Sequence, residues 1–234
     1  MRFYPLLVII TGLLLGCSYL PEPTPPVSGI TLTEDRTSIV VSAAGSTGST
    51  TGFLFYPGAL VDPHAYLSLM QQLAAAGPGY RVFIAKVPAN LAVLQPEAAG
   101  PILSAHPEIK NWVIGGHSLG GAIACTWVAR RPASVRGLVL MAAYPAKSDD
   151  LSGWPGGVLS IYGTNDMVLD RSTLSTAYAR LPSSTITVPI TGGNHAQFGA
   201  YGDQAGDGSA SISRADQQQQ TARQFVSFMN TLGL

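Results

Sequence analysis

The stretch "GGHSLGG", Gly115 to Gly121, constrains this chain more than any other seven residues. Four glycines stand in seven positions, and glycine inside a helix or strand is disfavoured by its large loss of chain entropy. Before it, "NWVIGG" (Asn111 to Gly116) reads as a buried strand. After it, "GAIACTWVARR" (Gly121 to Arg131) reads as a helix halted near Pro132. A strand must therefore become a helix within a few residues. A Walker-type phosphate loop needs G-x-x-x-x-G-K-[ST]; no lysine follows these glycines, and the dinucleotide pattern G-x-G-x-x-G is absent there too. What stands here is G-x-S-x-G, Gly116-His117-Ser118-Leu119-Gly120. Between a strand and a helix, that pattern places Ser118 on a strained turn with its hydroxyl above a sheet. The helix N-terminus adds the positive end of a dipole where an anion would develop.

The rest of the chain supplies the sheet. "TSIVVSA" (Thr37–Ala43), "GFLFY" (Gly52–Tyr56), "YRVFIAKV" (Tyr80–Val87), "VRGLVLMAA", "GVLSIYG" and "STITVPI" are rich in β-branched and aromatic residues and read as strands. Helical spacing separates several of them. Asp62-Pro63 offers a cap and a first-turn proline, followed by Tyr66, Met70, Leu73 and Ala74, and Gly77-Pro78 stops that helix. A short helix is expected within Glu97–Ala105 and another over Asp170–Leu181. The final helix starts at Ser213 with Asp216 three residues on, and Ala222, Phe225, Val226, Met229 and Leu232 form its apolar face. The run Gln217–Gln220 reads as a solvated first turn. Repeated strand-helix alternation predicts an α/β fold: a doubly wound, mostly parallel sheet with helices on both faces and its functional loops at the carboxyl ends of the strands.

An activated serine needs a histidine base and an acid that orients it. "SIYGTNDMVLD" puts Asp166 just after one strand, and "PITGGNHAQFG" puts His195 just after the next. The order Ser118, Asp166, His195 is the one that accompanies this serine motif. With "GHSLGG", the Asp166 loop and "GGNHAQFG" in place over about residues 37–232, the chain resembles the α/β-hydrolase superfamily, and within it the small, lidless hydrolases related to dienelactone hydrolase. Dienelactone hydrolases proper use a cysteine nucleophile where this chain has Ser118. The resemblance implies a carboxylic ester hydrolase working through an acyl-enzyme on Ser118, with no cofactor, no metal and a small acyl compound as substrate. A peptidase or acyltransferase on the same three residues is the alternative, and a non-catalytic binding lipoprotein of the same fold is the rival from another class.

The same resemblance assigns half of an oxyanion hole to the backbone N–H of Leu119. It places the other half in "FYPGALVDPHAY", at Ala59, with Leu60 as the alternative. Asp170 rivals Asp166 as the acid, although its place before a polar helix suits a cap. His117 is expected to pack or to edge the pocket, His64 to lie on the surface or line the site, and His106 to be exposed. The superfamily's lid enters after the strand following the serine helix. Here Met141 and Gly157 bracket a stretch suited to a loop with a short helix. Tyr144 and Trp154 within it either line one wall of the site or simply pack. "GDQAGDG" (Gly202–Gly208) lacks calcium-loop spacing and reads as a mobile surface loop.

The N-terminus carries a different message. Arg2 precedes the apolar run Phe3–Leu15, which is too short to span a bilayer comfortably and ends in "LLGC". This resembles the lipobox of bacterial lipoproteins, so residues 1–16 are expected to be a signal peptide and Cys17 the lipidated residue; an ordinary cleaved signal with a chance cysteine is the alternative. Residues 17–30 would be a proline-rich tether and 31–234 the folded domain. The expected location is the outside of the bacterial cell envelope, lipid-anchored: the outer membrane in a diderm, the outer face of the plasma membrane in a monoderm. Cys125, the only other cysteine, falls in an apolar helix and reads as inert. With 13 basic and 13 acidic residues, and no basic run, nucleic acid is not an expected partner.

Overall fold

A computed structural model describes residues 18–76 and 79–234. The signal segment, Cys17 and the Gly77-Pro78 stop lie outside these residues. Eight strands form one sheet: β1 Ile30–Glu34, β2 Ser38–Ala43, β3 Thr51–Tyr56, β4 Tyr80–Ala85, β5 Asn111–His117, β6 Gly137–Met141, β7 Gly157–Gly163 and β8 Ile186–Ile190. Their spatial order is β1-β2-β4-β3-β5-β6-β7-β8. β2 runs antiparallel to both β1 and β4, and the other pairs are parallel. Parallel strands require crossovers, and five α-helices are present among the described residues, four of them in crossovers: α1 Leu67–Ala76, α2 Ala99–Ala105, α3 Leu119–Arg130, α4 Arg171–Tyr178 and α5 Arg214–Thr231.

The helices divide between the two faces. On one face α1 (Leu69, Met70, Leu73) and α5 (Phe225, Phe228, Met229) cover Phe53, Phe55, Val82 and Val113. On the other, α2 (Ile102) and α3 (Ile123, Trp127, Val128) cover Leu54, Phe83, Ile114 and Leu140. Consecutive residues such as Phe53, Leu54 and Phe55 are thus all buried, on alternating faces, which is why the central strands read as unbroken apolar runs. Each such side chain contributes about 1.5–3 kcal/mol on burial.

Four readings change. β1 was not expected as a strand: four of its five residues are exposed, so its composition carries little apolar signal. Asp62 caps a 3-10 turn, Pro63–Tyr66, which leads into α1. The stretch between Met141 and Gly157 holds turns and no helix, and among the described residues no lid domain stands over the sheet. The proline-rich segment is extended, yet its start is docked on the domain. Tyr19 donates its N–H to the Leu60 carbonyl (2.8 Å) and accepts from Asp62 (3.0 Å), while Glu22 donates to Ala200 (2.7 Å) and pairs with Arg214 (2.8 Å).

Candidate active site

Close packing explains the glycines around Ser118. A Cβ on Gly116 would overlap the backbone of Gly120 and Gly121, and one on Gly120 would overlap the carbonyls of Tyr56 and Pro57. β5 and α3 therefore approach each other, and the end of β3, more closely than any side chain permits. The turn leaves Ser118 at φ 54° and ψ −124°, a conformation L-residues avoid. Its N–H is held by the Met141 carbonyl at 3.0 Å. The side chain borders a cavity of about 270 Å³ shared with Leu119, Tyr144, Val168, Asp170 and His195.

The structure brings Asp166 and His195 together. His195 Nδ1 lies 2.8 Å from Asp166 Oδ2, with Asp166 fully buried. The second carboxylate oxygen of Asp166 accepts the N–H groups of Val168 (2.9 Å) and Leu169 (2.8 Å), so three donors are directed at this one side chain. Three donors fix its orientation. His195 Nε2 has no hydrogen-bond partner among the described residues, and the ring borders the cavity with Ser118. Asp170 also borders the cavity, but its carboxylate caps α4. It accepts from the N–H groups of Ser172 (3.0 Å) and Thr173 (3.4 Å) and from both hydroxyls, which hold its pKa down at about 2.

Backbone bonding separates the two oxyanion candidates in the loop after β3. Gly58 donates its N–H to the Tyr66 hydroxyl (2.9 Å), and Leu60 donates to the Asn90 carbonyl (2.8 Å). Ala59, between them, donates to no group among the described residues, and neither does Leu119 at the first position of α3. Leu119 borders the cavity and Ala59 does not. The Ala59 loop instead runs beside the elbow, where Gly120 packs on the Tyr56 and Pro57 carbonyls.

His117 is buried. The Tyr66 hydroxyl, which accepts from Gly58, is hydrogen-bonded to His117 Nδ1 (2.9 Å), and the His117 ring lies 4.5 Å from that of His195. Burial first, and then the neighbouring His195, hold its pKa well below the ordinary histidine range, so it stays neutral and ties the Ala59 loop to the elbow. His64 is on the surface between Asp62 (2.7 Å) and Glu34 (3.1 Å). His106 is half-buried against Phe83. Tyr144 borders the cavity, whereas Trp154 packs into the core and donates to the Pro132 carbonyl (3.0 Å). Cys125 is buried, and burial pushes its thiol pKa up.

Two sequence readings are corrected here. Gln217 and Gln218 do not form a solvated turn; both are buried. The Gln217 amide clamps the residue before His195, accepting the Asn194 N–H (2.9 Å) and donating to the Asn194 carbonyl (2.8 Å). Gln218 donates to the Gln197 carbonyl (3.2 Å) and accepts from Ser68 (2.7 Å). The glycine-rich Gly202–Gly208 segment is likewise no free surface loop, because Asp207 bonds the backbone on both sides of the site. No sequence periodicity announces either role. Among the described residues no cluster of three or more His, Cys, Asp or Glu could hold a metal ion.

A model of the Alpha/beta hydrolase family matches residues 52–220. No curated protein is similar to the chain by sequence. Among solved structures, a dienelactone hydrolase from Anabaena variabilis superposes with a TM-score of 0.63 at 17% identity, covering 86% of this chain and 99% of that one. A membrane phospholipase A, described as a bacterial virulence factor, gives 0.66 at 14% identity, covering 97% and 91%. The esterase domain of a Rhodothermus marinus protein gives 0.63 at 13% identity, covering 86% and 98%. At these identities the likeness is one of fold.

Proposed function

Because this chain belongs to the alpha/beta hydrolase family, we propose that it is a serine hydrolase cleaving small, water-soluble carboxylic esters through an acyl-enzyme on Ser118. One observation carries this reading: a serine on a strained elbow shares a cavity with a histidine whose far nitrogen is held by a buried carboxylate. His195 Nε2 would take the Ser118 hydroxyl proton as Oγ attacks the ester carbonyl carbon. Asp166 would keep the imidazole in the tautomer that accepts this proton and stabilise the cation formed. The carbonyl oxygen, now negative, would face the N–H of Leu119 on the cavity wall, and the Ala59 N–H, on the loop beside the elbow and off that wall, would be the second donor once substrate is bound. Each such donor is worth about 3–4 kcal/mol in the transition state. Collapse would expel the alcohol with the proton from His195. Water, deprotonated by the same nitrogen, would then release the acid and restore Ser118.

The cavity, about 270 Å³ and without a lid, favours short acyl groups. A longer chain gains about 0.8 kcal/mol per CH₂ only where that group leaves water. The test combines a fluorophosphonate probe with p-nitrophenyl acetate, butyrate, octanoate and palmitate. Wild type should label and Ser118→Ala should not, and kcat/KM should not climb beyond butyrate. Absence of labelling in folded wild type would overturn the hydrolase mechanism. A steep rise toward palmitate would overturn the substrate class. The cell-envelope reading, with Cys17 lipidated, is proposed alongside and rests on the "LLGC" motif.

A further inference from the structure

The segment Asp207-Gly208-Ser209 touches both loops that carry the acid and the base. The Asp207 carboxylate accepts the Ala196 N–H through Oδ2 (2.9 Å) and the Met167 N–H through Oδ1 (3.3 Å). Ala196 follows His195, and Met167 follows Asp166. On the other side of each residue the pattern repeats. Asn194 donates its side-chain N–H to the Gly208 carbonyl (2.8 Å), and Asn165 donates to the Ser209 carbonyl (2.9 Å). Both residues of the His195–Asp166 pair are therefore flanked, before and after, by bonds to the same three residues. Gly208 also fits flush against the Asn165 carbonyl, where a Cβ would overlap.

Burial alone does not hold the Asp166 loop. Met167 is 71% exposed and Val168 is 36% exposed. Hydrogen bonds must set its position relative to the His195 loop: Asn165 donates its N–H to the Gly193 carbonyl (2.8 Å), Gly192 donates to the Thr164 hydroxyl (2.8 Å), and Asp207, from outside both loops, accepts from each through one carboxylate. We propose that Asp207 is a positioning residue: its carboxylate clips the two loops together so that His195 Nδ1 stays in register with Asp166. The proposal rests on the acyl-enzyme reading above, since it gives that reading's base and acid their separation. A misplacement on the order of 1 Å at such a pair can lower a rate about 100-fold.

The experiment compares Asp207→Asn and Asp207→Ala with the exposed Asp203→Ala from the same loop as control. Asp207→Asn keeps the shape but turns one acceptor into a donor that opposes an N–H. Folding is followed by thermal melting, and kcat, KM and the fluorophosphonate labelling rate are measured with p-nitrophenyl acetate. The expected result is a kcat loss of about 10- to 100-fold for Asp207→Ala and less for Asp207→Asn, with KM changed less than about threefold and Asp203→Ala unchanged. In an Asp166→Asn background, Asp207→Ala should add little, because the clip acts through that pair. Folded Asp207 variants with wild-type kcat would overturn the proposal, and so would full additivity with Asp166→Asn. If wild type and Ser118→Ala label alike, the acyl-enzyme reading fails instead, so the two failures are separable.

Discussion

Asp166 and Asp170 stand four residues apart, Asp170 on the cavity wall and Asp166 buried behind His195, yet they spend their oxygens differently. Asp166 bonds His195 and its own loop, whereas Asp170 satisfies the first turn of α4. A carboxylate committed to cap bonds is not available to a histidine ring. Asp166→Asn should therefore lower kcat by about 10³- to 10⁴-fold, by presenting an amide that stabilises the wrong imidazole tautomer. Asp170→Asn should lower it less than about tenfold, since asparagine caps nearly as well. Steady-state kinetics on one short ester decides this, and equal losses would reverse the assignment.

Helix α5 illustrates how an element far from the chemistry can hold it. Its first turn would ordinarily leave polar side chains in water. Here α5 packs beside α1 with its N-terminus under the His195 loop, so Gln217 meets the Asn194 backbone with both halves of its amide. A buried, doubly bonded amide is costly to remove because the freed N–H and C=O stay buried. Each left unsatisfied costs about 1–3 kcal/mol. Gln217→Leu should lower the thermal midpoint by several degrees and reduce kcat, whereas the exposed Gln219→Leu should do neither. Melting curves of the two variants check this, and an unchanged midpoint for Gln217→Leu would refute the clamp.

At the scale of the whole molecule, the N-terminal segment is docked on the domain. Tyr19 is stitched between Leu60 and Asp62, in the loop beside the elbow. Two residues span at most about 7 Å of extended chain. If Cys17 is lipidated as proposed, the chain length alone keeps the lipid's attachment point within about 7 Å of Tyr19. Cys17→Ala should move the protein from the membrane to the soluble fraction while leaving its activity on p-nitrophenyl acetate unchanged. Recovery of wild type in the soluble fraction, with Cys17 unmodified, would refute lipidation.

What could be read from the chain alone was local. Apolar runs announced the buried strands, and Asp62, Ser213 and Asp170 announced helix starts. Four glycines announced the close approach that puts Ser118 at positive φ. Strand order then placed Asp166 and His195 after consecutive strands, β7 and β8, close enough to bond. The packed fold decided the rest. It bonded the Leu60 N–H to the Asn90 carbonyl, 30 residues along the chain, and left the Ala59 N–H without a partner among the described residues. It sent Tyr144 to the cavity and Trp154 to the core, buried two glutamines, docked Tyr19, and turned a glycine-rich loop into a clip. The reason is common to all of these. Hydrophobic period, capping and turn chemistry act between neighbours and leave a mark in the order of residues. The burial of a polar group depends on whether a distant backbone N–H or C=O needs it, and only the assembled sheet and helices set that demand.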